Sequence, residues 1–391
     1  MTQMPKASAS RTQRLACRSL ATLAGLVALH ANAALWEDQL WAVSGEADVT
    51  AGYDSNLYAI TDGPGDSFAE FKPSLDLSRK DSLLNFNADA WVNWTTFLKH
   101  TNDDATDPGL RLTLSYPANV DELITQAGEF HWIRTTAVDV DIGQRVSQDD
   151  LLAKYEGDII NTGKTAVVGR VSFDRDEYLG APFDTIDTAA LGTSAFYSPD
   201  NLFRAGLGYD LTLGRSQPNS PGLPSLDETE QAFTIQAEGE FTPKLTGKFS
   251  IGAGYTRYTG SFSNSEWDTV ASGGVVWTPR DRLAFDLQVV RAPYFSADGD
   301  ADINTSAVLG VTQGLGNGFS VKAHVQDGLT NYERTTTYRT DTIKGTGAGV
   351  AYDLTGKLTA SAGCDWTRQD SDLFPFTYRR YVATGELTYK F

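Results

Sequence analysis

Two cysteines, two methionines and four histidines in 391 residues leave little material for disulfides or metal centres. After residue 33 no apolar run approaches the roughly 20 residues that a membrane helix needs. Cations are scarce as well. The 32 Lys and Arg face 50 Asp and Glu, a net charge of −18 that argues against duplex nucleic acid, whose phosphates call for clustered Lys and Arg. His100, His131 and His324 stand on separate segments, and no His or Cys pair has zinc-ligand spacing. There is no Gly-x-Ser-x-Gly elbow and no phosphate loop. Asp298-Gly299-Asp300-Ala301-Asp302 spaces its carboxylates like a calcium loop but lacks the terminal Glu, and reads as a solvated acidic loop. No cofactor and no metal are expected.

The N-terminus has the anatomy of a secretory signal. Lys6, Arg11, Arg14 and Arg18 precede any acid, an apolar stretch runs from Leu20 to Leu29, and Ala31-Asn32-Ala33 offers a small-x-small cleavage site. Residues 1–33 are therefore expected to be removed and 34–391 to form one domain. Cleavage takes four cations and no acid, which moves the net charge from −18 to −22. Cys17 leaves with the signal, so Cys364 remains alone and no intramolecular disulfide can form.

The rest of the chain alternates apolar and polar residues with period two. Phe233, Ile235, Ala237, Gly239 and Phe241 alternate with Thr234, Gln236, Glu238 and Glu240. Leu358, Ala360, Ala362, Cys364 and Trp366 alternate in the same way with Thr359, Ser361, Gly363, Asp365 and Thr367. Each such segment is a strand with one apolar and one polar face. A soluble sandwich alternates too, so the connections decide. Short turns such as Thr242-Pro243-Lys244 and Thr355-Gly356-Lys357 take turns with longer polar stretches at 61–66, 100–107, 135–150, 217–229 and 297–304. Short turns at one end and long loops at the other mark a transmembrane barrel. The segments predict an all-β, closed, antiparallel up-and-down barrel of about 18 strands, with 16 as the alternative because 122–132 alternates poorly.

Strand parity then assigns the faces. Tyr53, Tyr116, Phe241, Tyr255, Trp277, Tyr352 and Phe391 fall near strand ends on the apolar face, as interfacial girdles do. The interior set mixes acids such as Asp76, Asp158 and Glu238 with bases such as Lys72, Arg111 and Arg204, which speaks against strong anion selectivity. One row stands out: Asn85, Asn87, Asp89, Trp91 and Asn93 share the lumen face. Amide, carboxylate and indole together suit sugar hydroxyls and ring faces, although any hydrated lumen also needs a polar wall. The last strand ends Tyr389-Lys390-Phe391, with Tyr389 and Phe391 on one face, in the manner of the terminal signal read by barrel-assembly machinery.

The first long strand ends Thr50-Ala51-Gly52-Tyr53-Asp54-Ser55-Asn56-Leu57-Tyr58 after a Leu35-Trp36-Glu37-Asp38 lead-in. This resembles the opening of the β-barrel porin 2 family of outer-membrane proteins, which begins with a Gly-Tyr-Asp-Ser-Asn-like stretch. The resemblance implies a large barrel of the Gram-negative outer membrane, associated with exopolysaccharide export systems and carrying no catalytic residues. Its implied partners are outer-membrane lipid, the assembly machinery, a polysaccharide and a polysaccharide export lipoprotein. Three functions follow in order: a non-enzymatic conduit for exopolysaccharide, a general diffusion porin for small hydrophilic solutes, and a barrel enzyme. A loop folded into the bore would weigh against a wide-open porin.

Overall fold

The computed structural model describes residues 35–80, 84–116, 126–139, 144–179, 183–199, 202–218, 225–260, 263–295, 301–332 and 339–391. Residues 1–33, expected to be a signal sequence, and the Asp298–Asp300 stretch lie outside them. The strands are β1 (Trp36–Glu37), β2 (Trp41–Asp54), β3 (Asp66–Lys80), β4 (Asn85–Phe97), β5 (Ala105–Tyr116), β6 (Gln126–Asp139) and β7 (Gln144–Asn161). They continue with β8 (Thr165–Leu179), β9 (Asp184–Tyr197), β10 (Phe203–Pro218), β11 (Leu226–Thr242), β12 (Leu245–Gly260) and β13 (Asn264–Arg280). The last are β14 (Leu283–Phe295), β15 (Ala301–Gly316), β16 (Phe319–Tyr332), β17 (Arg339–Asp353), β18 (Leu358–Ser371) and β19 (Tyr378–Lys390).

From β2 to β19 every strand pairs antiparallel with its neighbours in sequence, and β19 pairs back onto β2, closing an 18-stranded barrel. The two-residue β1 pairs with β2 outside that ring. The number is eighteen, not sixteen, because 126–139 forms a strand bonded to β7 along its whole length and to β5 over 126–133. The stretch 135–150, expected to be a long polar loop, is instead the meeting of two long strands, with β6 running to Asp139 and β7 starting at Gln144. The two strands stay bonded to each other from the pair Gln126 and Gly157 to the pair Asp139 and Gln144, so their polar residues interrupt the alternation without interrupting the ladder.

Closure is completed by the last residue. The Phe391 amide donates to the Gly45 carbonyl at 2.9 Å, and the Gly45 amide donates to the Phe391 carbonyl at 3.1 Å. The Phe391 ring lies over Gly45, where a Cβ would come within 2.3 Å of it. Among the described residues the sheet therefore has no free edge strand, as a sheet in hydrocarbon requires.

The faces sort by chemistry. Leu75, Leu191, Leu207, Ile235, Trp267, Val325 and Leu387 are exposed around the outside, while Asp54, Asp107, His131, Asp150, Asp158 and Gln236 are buried within. A water-soluble chain rarely exposes an apolar surface this continuous, whereas hydrocarbon requires it.

Candidate functional site: the inner wall and the narrowed mouth

The alternation of β4 places Asn85, Asn87, Asp89, Trp91 and Asn93 on the face of the buried Thr95 and Phe97, opposite the exposed Ala90, Trp94 and Thr96. Asp89 accepts from Asn87 Nδ2 at 2.9 Å and stands directly across from Asp76 on β3 and Arg111 on β5. The Trp91 indole rests against Gly109 on β5, where a Cβ would come within 2.2 Å of the ring. The Lys72 ammonium sits 5.6 Å from its centroid, in cation–π range. Both contacts cover an indole that would otherwise stand bare in a wet bore. Asn85 sits at the short-turn end of the row and Asn93 toward the mouth.

Other polar and charged groups of the inner wall pair with one another. His131, fully enclosed, lies 3.1 Å from Asp150 through Nε2 and 3.5 Å from Glu129 through Nδ1. Arg170 reaches Asp210 at 3.1 Å. Near the short-turn end Arg204 contacts Glu238 and lies 3.6 Å from Asp158, while Lys248 lies 3.1 Å from Glu238 and 3.7 Å from Glu156. Glu156 is on β7 and Lys248 on β12, five strand steps apart along the wall. At roughly 4.8 Å per step that is about 24 Å of sheet, so the wall must bend sharply for the two side chains to meet.

The long-loop end is narrowed from within. Residues 55–65, between β2 and β3, do not stand away from the barrel: Leu57 and Ala59 are 0% exposed. Ala59 packs with Val138 on β6 and Tyr378 on β19, strands on opposite flanks of the β2–β5 wall. Asn56 Nδ2 donates to the Ile60 and Arg379 carbonyls at 2.7 and 3.3 Å. Thr61 donates from its amide to the Pro375 carbonyl at 2.9 Å and from Oγ1 to the Thr377 carbonyl at 2.7 Å, fastening the loop to segment 372–377. Tyr58 donates its hydroxyl to Asp103 at 2.7 Å and meets His100 edge-on. Burial first, and then the bond to the Asp103 carboxylate, push the Tyr58 phenol up to about 12. Ala59 and Asp62 adopt positive φ angles of 51° and 56°, a backbone strain held by these anchors.

Arg145 on β7 completes the mouth. Its guanidinium lies 4.7 Å from the Phe97 ring, donates to the Thr136 carbonyl at 2.9 Å, and is within Coulomb range of Asp54, Asp103, Asp107 and Arg380. Arg380 is itself bound by the Asp54 carboxylate. The inward fold of 55–65 has one trace in the sequence: Leu57, Ala59 and Ile60 are apolar residues inside a connection that would otherwise be solvated.

The chain matches no protein-family model and no curated protein. Among solved structures it is similar to Pseudomonas aeruginosa OccK2 (OpdF) in complex with glucuronate, at 11% identity over 90% of this chain and 97% of that one, TM-score 0.48. It is similar to Pseudomonas aeruginosa OpdQ at 11% identity over 90% and 97%, TM-score 0.44. Acinetobacter baumannii OccAB2 gives 8% identity over 89% and 98%, TM-score 0.44.

Proposed function

We propose that this chain is a non-enzymatic outer-membrane channel for hydrophilic solutes, with its bore narrowed at the long-loop mouth by residues 55–65. The observation that carries the proposal is the sorting of one closed sheet into an apolar outside and a polar, charge-paired inside. Such a wall lowers the cost of moving water and polar solutes through hydrocarbon, because its charges are satisfied by one another rather than by the passing solute. The seated loop supports a channel that discriminates by size over one that is wide open. Liposome swelling tests this: vesicles carrying the refolded chain should swell in small sugars, with rates that fall steeply as the sugar grows. Equal rates for mono- and tetrasaccharides, or no swelling in any solute, would overturn it.

A second reading, the conduit for exopolysaccharide, is favoured by the resemblance of residues 50–58 and by the Asn87-Asp89-Trp91-Asn93 row on the inner wall. In it a sugar ring passes over the indole, a stacking contact typically worth about 1–3 kcal/mol in the nucleic-acid analogue. Its test is Trp91→Ala, which should reduce polymer secretion while assembly and small-ion conductance stay near wild type. Unchanged export from a well-folded variant would remove this reading and leave the solute channel standing.

A further inference from the structure

On the outer face of the barrel, three cations stand side by side on three consecutive strands. Lys344 on β17 is directly opposite Arg368 on β18, and Arg368 is directly opposite Arg379 on β19. Directly opposed residues of an antiparallel pair share a face, and here that face is outward: Lys344 and Arg379 are exposed, while their chain neighbours Gln369 and Tyr378 are buried inside at 0% and 4% exposure. Like charges placed opposite one another destabilise a sheet unless something offsets them. Arg368 has a partner in Asp370 at 2.7 Å. Among the described residues Lys344 and Arg379 form no ion pair, although Asp327 on β16 stands in the next position of the row.

The height of the row on the barrel identifies what meets it. Two residues nearer the middle of the same strands come Trp366 and Tyr381, again directly opposed, with Tyr381 exposed. Aromatic side chains of this kind mark the level where hydrocarbon gives way to headgroups. The cations therefore lie just beyond that level, at the long-loop end. Lys344 and Arg379 are two strand spacings apart, about 10 Å, a gap that their long side chains can close around one phosphate.

We propose that Lys344, Arg368 and Arg379 form an external site for the phosphate of an outer-leaflet lipid headgroup. The site rests on the membrane placement argued above but not on what the bore conducts. Asp327 and Asp370 offset two of the three cations, and the phosphate supplies the further negative charge that Lys344 and Arg379, which form no ion pair among the described residues, leave room for; the acyl chains continue down over Trp366 and Tyr381.

The test uses the full refolded chain in neutral detergent, with diphosphorylated lipid A as the probe and native mass spectrometry as the readout. The wild type should retain the probe. Dephosphorylated lipid A and the variant Lys344→Gln/Arg368→Gln/Arg379→Gln should each weaken retention by about tenfold or more, the loss expected when charge-assisted bonds to a phosphate are removed. Should the triple variant fail to fold, as judged by heat-modifiable migration, Arg379→Gln alone should weaken retention measurably, because that exposed side chain has no internal partner to lose. Equal retention of the dephosphorylated lipid, equal retention by the folded variant, or displacement of the lipid by equimolar inorganic phosphate would each overturn the site. Channel current in phosphatidylcholine bilayers, measured on the same preparations, reports on the proposed function separately: current without lipid retention overturns the site alone, and retention without current overturns the channel alone.

Discussion

Trp91 and Gly109 act as one unit. A Cβ at Gly109 would fall within 2.2–2.8 Å of three indole atoms, so Gly109→Ala must push the ring off the wall and into the bore. Overpacking of this kind typically costs about 1–3 kcal/mol. The variant should therefore lower both the unfolding midpoint and the single-channel conductance, whereas Trp91→Ala should spare the conductance. Tyr58 makes a different residue-scale prediction. Its phenol is raised from 10 to about 12, so the fold favours the protonated form. The contribution of that hydroxyl is complete below pH 10 and is lost as the pH climbs through 12. Mouth conductance should therefore show no Tyr58-dependent step between pH 5 and 9, checked by comparing the current–pH curve of Tyr58→Phe with wild type. A step in that window present only in the wild type would contradict the assignment.

At the scale of elements, the period-two pattern specified the strands well, because one face must meet lipid and the other water along the whole height of the barrel. It overestimated the loop at 135–150, since β6 and β7 lose the apolar half of the pattern there while keeping their hydrogen bonds to each other. The inward seat of 55–65 was legible only as the apolar residues Leu57, Ala59 and Ile60 within a connection, and what they pack on was not. Its anchors lie far off in the chain, Val138 at 79 positions from Ala59 and Pro375, Thr377 and Tyr378 more than 300 away, and no local pattern records them. The bend that joins Glu156 to Lys248 is hidden for the same reason. The final strand carries its own prediction. Phe391 both pairs with Gly45 and covers it, so deleting Phe391 removes two closing hydrogen bonds as well as the terminal aromatic. The amount of heat-modifiable barrel in the outer membrane should fall while signal cleavage proceeds normally; an unchanged amount would show that neither contribution matters for assembly.

In the whole molecule three features depend on one another. The sheet closes on itself, its inner charges pair with one another, and the loop 55–65 is seated against β6 and β19, where in the proposed channel it sets how much of the bore is open. The inner-wall row Asn85, Asn87, Asp89, Trp91 and Asn93 lies on the same face as these charges and contributes to the wall whichever solute passes. The loop is the feature that can be altered without touching a strand. Single-channel recording in planar bilayers should therefore compare the wild type with a chain whose residues 57–62 are replaced by a short Gly-Ser linker. Both chains should conduct, with the shortened loop giving a several-fold larger current; a wild type without current, or identical currents from the two, would contradict the narrowed-channel account.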